Sequence, residues 1–80
     1  MELRQLTDFL AVADHGTVTA AAEALHLAQP SLSVQLQQLE AELGCPLFDR
    51  SGRRLRLTAA GVQFYQRAAA ILSMCDSAQR

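Results

Sequence analysis

No lysine occurs in this chain; its positive charge rests on seven arginines against eight acids, a formal net of −1. That average alone speaks against a surface that attracts polyanions indiscriminately. Cysteine is scarce too. Cys45 and Cys75 form no Cys-x-x-Cys pair and no Cys/His cluster, which excludes a disulfide framework and a structural zinc site. Two unpaired thiols suit a reducing compartment and read as small packed residues rather than redox sensors. His15 and His26 lack ligand partners at metal-binding spacing, so no metal and no cofactor is expected. The four glycines form no phosphate-cradling loop, and no nucleophile elbow is present, so catalysis has no visible means and an enzyme is not expected. No apolar run approaches the roughly 20 residues that span a bilayer. Glu2, Asp8 and Asp14 interrupt the start, unlike a signal peptide. A cytoplasmic protein with no membrane partner is the expectation.

Eighty residues make one small domain, marginal alone because so short a chain buries only roughly 60% of its unfolded surface. Half the residues are hydrophobic, which excludes disorder. The charge is segregated: residues 1–49 carry a net −6, and residues 50–80 a net +5. A solvated basic turn is the bland explanation of the arginine cluster. A local field that the net charge conceals is the other.

Leu3, Leu6, Phe9, Leu10 and Ala13 recur at helical steps, predicting a first helix over about 2–14 that stops at Gly16. Thr17 or Thr19 can cap a second helix through the alanine-rich "TAAAEAL". After "HLAQ", Pro30 stands at the expected first position of a third helix, where its missing N–H costs nothing. Leu32, Leu36, Leu39 and Leu43 give this helix one buried stripe, and Gly44 ends it. "LFDRSGRRLRL" then reads as two short extended runs around Ser51-Gly52, with Leu55 and Leu57 facing the core and Arg54 and Arg56 facing solvent. Thr58 caps a fourth, longest helix, with Phe64, Ala68, Ile71 and Cys75 on one side.

Two helices joined by a short turn make a helix-turn-helix, and a hairpin directly behind it can serve as a wing. The residues opposite the leucine stripe are Pro30, Val34, Gln37 and Ala41, flanked by Ser31, Ser33 and Gln38. Glutamine matches the donor–acceptor edge of adenine, serine reaches bases or phosphates, and an exposed valine can touch a thymine methyl. Residues 24–39 contain no acid that would repel phosphate. Each such residue is also an ordinary surface residue by itself. A winged module that docks an acidic protein through its arginines is the competing reading, and the isoelectric point of about 6.0 favours it slightly.

The segment "AAAEALHLAQPSLSVQLQQLEAELGCPLFDRSGRRLRLTAAG" closely resembles the DNA-binding domain of LysR-type transcriptional regulators. The resemblance runs through Ala21-Ala22, Gln29-Pro30-Ser31, Ser33, Leu39-Glu40, Leu43-Gly44, Leu47-Phe48, Arg50, Arg53 and Leu57-Thr58. It implies a mainly α winged helix-turn-helix, a three-helix core with a small β-hairpin wing, over 1–57. The helix-turn-helix covers about 18–43 and the wing about 47–57; a linker and dimerisation helix follows over 58–80. Gln29, Pro30, Ser31, Ser33 and Val34 would lie at the DNA, with Gln37 and Gln38 on the same base-reading helix. Thr19, Arg50 and Arg53 would serve near phosphates or the minor groove, beside Arg54 and Arg56. Phe64, Ala68, Ile71 and Cys75 would lie on the helix that pairs with a second subunit. The partners implied are a pseudo-palindromic double-stranded operator and a second copy, with higher oligomers open to a full-length protein. A small-molecule effector would act only through a sensing domain outside this chain. The site of action would be the bacterial nucleoid. The chain departs from the family's pattern at Val34, where arginine is frequent, at Gln37 and Gln38, where basic residues are frequent, and at Val18, where phenylalanine is frequent.

Overall fold

A computed structural model describes residues 1–79, with side chains as far as Asp76. The order is α1 (Leu3–His15), α2 (Val18–Leu25), α3 (Gln29–Leu43), β1 (Phe48–Asp49), β2 (Arg56–Leu57) and α4 (Ala59–Gln79). Three helices, a two-stranded antiparallel hairpin and a long final helix are therefore present, as the residue pattern predicts. The final residue of the expected last helix, Arg80, lies outside the described residues.

Each helix end follows from a local cause. Gln5 Oε1 accepts the N–H of Glu2 at 3.0 Å, closing the start of α1. Gly16 ends it in the left-handed region at φ +82, its N–H bonded to Val12 O. Of the two threonines, Thr17 is the cap of α2: its hydroxyl oxygen accepts the N–H of Ala20 at 3.1 Å. The α2–α3 turn contains no glycine, so His26 adopts the left-handed conformation instead, at φ +58. Pro30 occupies the second helical position of α3, one later than the sequence suggests, because Ala28 is the N-cap. Both positions tolerate proline, since the first N–H groups of a helix have no intrahelical acceptor.

The core forms around Phe9, which is fully buried. Its ring meets those of Phe48 at 5.3 Å, Phe64 at 5.1 Å and Tyr65 at 6.4 Å, joining α1, the hairpin and α4. Leu32, Leu36 and Leu39 close this core from α3, and Ala21 and Ala22 let α2 approach it. Leu43, the fourth member of the expected stripe, is only partly buried. A second tie between α1 and α4 is the Tyr65 hydroxyl, which donates to Asp14 Oδ1 at 2.6 Å. That bond, made to the protonated phenol, raises the Tyr65 pKa above its usual value.

The hairpin is shorter than its sequence suggests. Only Phe48↔Leu57 and Asp49↔Arg56 pair, and residues 50–55 form an open loop between them. Leu55 does not extend the second strand because its N–H is donated to Gly16 O at 2.8 Å, across to the α1–α2 turn. On the other side Asp49 Oδ1 accepts the N–H of Ser51 at 3.0 Å, a local turn that ends β1. Leu57 still packs against the core and Arg56 still faces solvent.

Thr58 links hairpin to α4. Its hydroxyl donates to Pro46 O at 2.8 Å and accepts the N–H of Gly61 at 3.0 Å. Gly61 is required here by close approach, since a Cβ at this position would run into the carbonyl oxygen of Leu47. The four residues expected to lie on a pairing helix differ in burial. Ala68 is fully buried within this chain and belongs to its core. Phe64 lies edge-on to Phe9 and is partly buried. Ile71 is exposed and Cys75 half-buried. Near its start α4 thus packs Phe64 and Ala68 against the domain's own core and leaves Val62 exposed.

Candidate nucleic-acid interface

With its leucine stripe turned inward, α3 presents the opposite side to solvent. Gln29, Pro30, Ser31, Val34, Gln37 and Gln38 are exposed there, and Ser33 is half-buried. Ala28 supplies no side-chain cap, so the N–H groups of Gln29 and Ser31 find no partner within the helix. The start of α3 therefore offers donors and the positive end of the helix dipole.

The wing-facing flank of α3 is concave. Gln29, Ser33 and Gln37 share an open hollow of about 330 Å³ with Thr17 and Thr19 of the α2 start and with Arg50 and Arg53 of the wing. Among the described residues lining it, none is acidic. Residues expected from the sequence to contact bases and residues expected to contact phosphates thus border one surface. Ser31, Val34 and Gln38 lie outside the hollow, on the crest and far flank of α3, and Arg54 and Arg56 are also not part of it.

The four wing arginines are not equivalent. Arg50 Nη2 pairs with Glu40 Oε1 at 3.2 Å. Arg54 Nη2 donates to the carbonyl of His15 at 3.2 Å, and its guanidinium lies against Gly16. It is a cation at the C-terminal end of α1, where the helix dipole favours one. Arg56 faces Asp49 across the hairpin. The Asp49 carboxyl is held below its usual range, first by its hydrogen bonds from Ser51 and to a lesser degree by Arg56. Arg53 has no such partner among the described residues and lines the hollow.

Glu40 is the functional residue that sequence reasoning missed. Near the C-terminal end of α3, its carboxylate accepts the N–H of Leu47 at 2.6 Å and of Phe48 at 3.3 Å. It joins α3 to the wing and orients Arg50 through the same carboxylate. Its spacing from Leu47, Phe48 and Arg50 was visible, but only folding shows that the chain doubles back after Pro46. Asp8 is a second acid with an unexpected position. It is buried on α1 with Oδ2 unpartnered, and burial raises its pKa while Arg4 partly opposes the shift. Among the described residues no group of three His, Cys, Asp or Glu could hold a metal ion. No helix among them is long and apolar enough to cross a membrane.

Known proteins share this fold. The chain superposes on the crystal structure of the CbnR DNA-binding domain–DNA complex with a TM-score of 0.95 at 47% identity, covering 99% of this chain and 91% of that one. It matches the BenM DNA-binding domain in complex with catB site 1 DNA with a TM-score of 0.93 at 47% identity, covering 96% and 86%. The Hca operon transcriptional activator HcaR of Escherichia coli (strain K12) is 51% identical over 79 residues, which is 99% of this chain and 27% of that protein. The chain spans between about a quarter and about half of the length of the curated relatives it matches. A family model described as "Bacterial regulatory helix-turn-helix protein, lysR family" matches residues 3–62. The chain therefore belongs to the lysR family of bacterial regulatory helix-turn-helix proteins.

Proposed function

We propose that this chain binds double-stranded DNA sequence-specifically, as the DNA-reading unit of a bacterial transcriptional regulator. The observation that carries the reading is the acid-free hollow in which Gln29, Ser33 and Gln37 stand beside Thr19, Arg50 and Arg53. Helix α3 enters the major groove, where amide and hydroxyl groups can read base edges. The wing runs along the backbone or into the adjacent minor groove, where arginine is favoured. Two known proteins with this fold were crystallised with DNA, which supports the assignment. The work is binding and requires no bond-making step; its place is the bacterial nucleoid.

Two copies bind one pseudo-palindromic operator, paired through α4. Ile71 and Met74 are exposed apolar residues on that helix, as is Val62 near its start, and their burial supplies what an 80-residue domain lacks. Effector sensing and any higher assembly belong to regions outside this chain. A gel shift with random-sequence duplex tests the proposal. Neutralisation of about three phosphates by each of two chains gives a log–log salt slope on the order of −5. A module that docks an acidic protein would give no shift at any salt concentration.

A further inference from the structure

The exposed side of α3 is not uniformly polar. Its hydrogen-bonding groups lie on the flanks: Gln29, Ser33 and Gln37 toward the wing, Ser31 and Gln38 on the other side. The crest between them carries Pro30, Val34 and Ala41, spaced so that all three point away from the buried leucines. Val34 stands about half a turn from the Leu32/Leu36/Leu39 stripe and is 48% exposed. Gln37 borders this crest on the wing side, the residues at its centre are apolar, and no charged side chain occurs on α3 before Glu40.

A single exposed valine needs no explanation. An apolar crest between two polar flanks, on the face that would lie deepest in the groove, does constrain what can lie opposite. Resting on the DNA-binding function proposed above, we infer that Val34 is a specificity-determining residue that reads the 5-methyl group of a thymine. Of the major-groove edges, only that of thymine carries an apolar group. Cytosine N4 or guanine O6 and N7 against Val34 would lose water and gain no hydrogen bond, which penalises those bases. A thymine methyl there removes apolar surface from water on both partners. The valine thus favours its base by contact and disfavours the alternatives by leaving their polar atoms unmatched.

The test uses the 80-residue chain and a duplex selected by it from a random pool. Thymines are replaced one at a time, symmetrically in both half-sites, by deoxyuridine, which removes only the methyl group. Binding is measured by fluorescence anisotropy for wild type and Val34→Ala. The inference expects one position at which the replacement weakens wild-type binding by about fourfold per half-site, the worth of one buried methyl group. At that position Val34→Ala should bind thymine and deoxyuridine duplexes equally, while the effects of all other replacements persist. Thermal melting should be unchanged, because the side chain is half-exposed on a helix and alanine is a better helix former. If no thymine responds, or if the response survives in Val34→Ala, the inference is overturned while DNA binding stands. If wild type binds no duplex at all, the function on which the inference rests fails as well.

Discussion

Arg53 and Arg54 are adjacent in sequence, and their removal should weaken DNA binding in two different ways. Arg53 has no intramolecular partner among the described residues and borders the hollow with Gln29, Ser33 and Gln37. If it meets a phosphate in each of two chains on one operator, Arg53→Ala removes about two counterion-releasing contacts. The log–log slope then falls in magnitude by about 1.8, at about 0.9 per contact, so the loss relative to wild type is about tenfold larger at 50 mM than at 200 mM salt. Arg54 is committed to the His15 carbonyl and the face of Gly16, beside the Leu55 N–H bond to Gly16 O. Arg54→Ala loosens the wing from the α1–α2 turn. Because the guanidinium is exposed, the cost in stability is about 0.5–1 kcal/mol. Affinity falls by a similar factor at every salt concentration, and the slope does not change. Fluorescence anisotropy titrations across that salt range measure both. Equal slope losses for the two variants would show that Arg54 leaves His15 for the DNA, and an unchanged slope in Arg53→Ala would remove the wing from the backbone altogether.

Three further outcomes follow from the packing. Gly61→Ala forces a Cβ against Leu47 O, and the rigid backbone cannot yield cheaply, so chemical denaturation should show a loss of about 1–3 kcal/mol. Glu40→Ala strips two backbone N–H groups of their acceptor and frees Arg50. It should cost about 1–3 kcal/mol in stability and also weaken binding, whereas Glu40→Gln keeps a carbonyl acceptor and should lose less of both. Asp8 gives a pH signature. Its folded pKa lies above the ordinary 3.8, so between these values the native state binds more protons than the unfolded chain, and stability falls as pH rises. Asp8→Asn should therefore raise the melting temperature at neutral pH, with the gain vanishing below about pH 3.8. A constant gain at all pH values would contradict that linkage.

Much of this molecule is written in local pattern. The steps between Leu32, Leu36 and Leu39 define which side of α3 is buried, and so define which side is presented. Thr17, Gly16, Gly44 and Thr58 mark helix ends by chemistry that acts within four residues. What local pattern does not contain is contact across long sequence separation. The Leu55–Gly16 bond shortens the second strand, and nothing in "RRLRL" announces it. The arginines of that run share one composition, yet Arg54 is bound to His15, 39 residues away, while Arg53 remains available. Ala68 satisfies the same helical period as the exposed Ile71, and only the packing of α4 on the core cluster buries it. His26 takes a left-handed conformation that a glycine would ordinarily mark.

The central claim is that one acid-free face of α3, flanked by the wing, reads the sequence of duplex DNA. Its most direct test is selection of bound duplexes from a random pool by the 80-residue chain, followed by sequencing. The account predicts enrichment of two half-sites related by a two-fold axis, with thymine favoured at one position in each. Retention of duplexes without any sequence enrichment, or no retention at low salt, would contradict it.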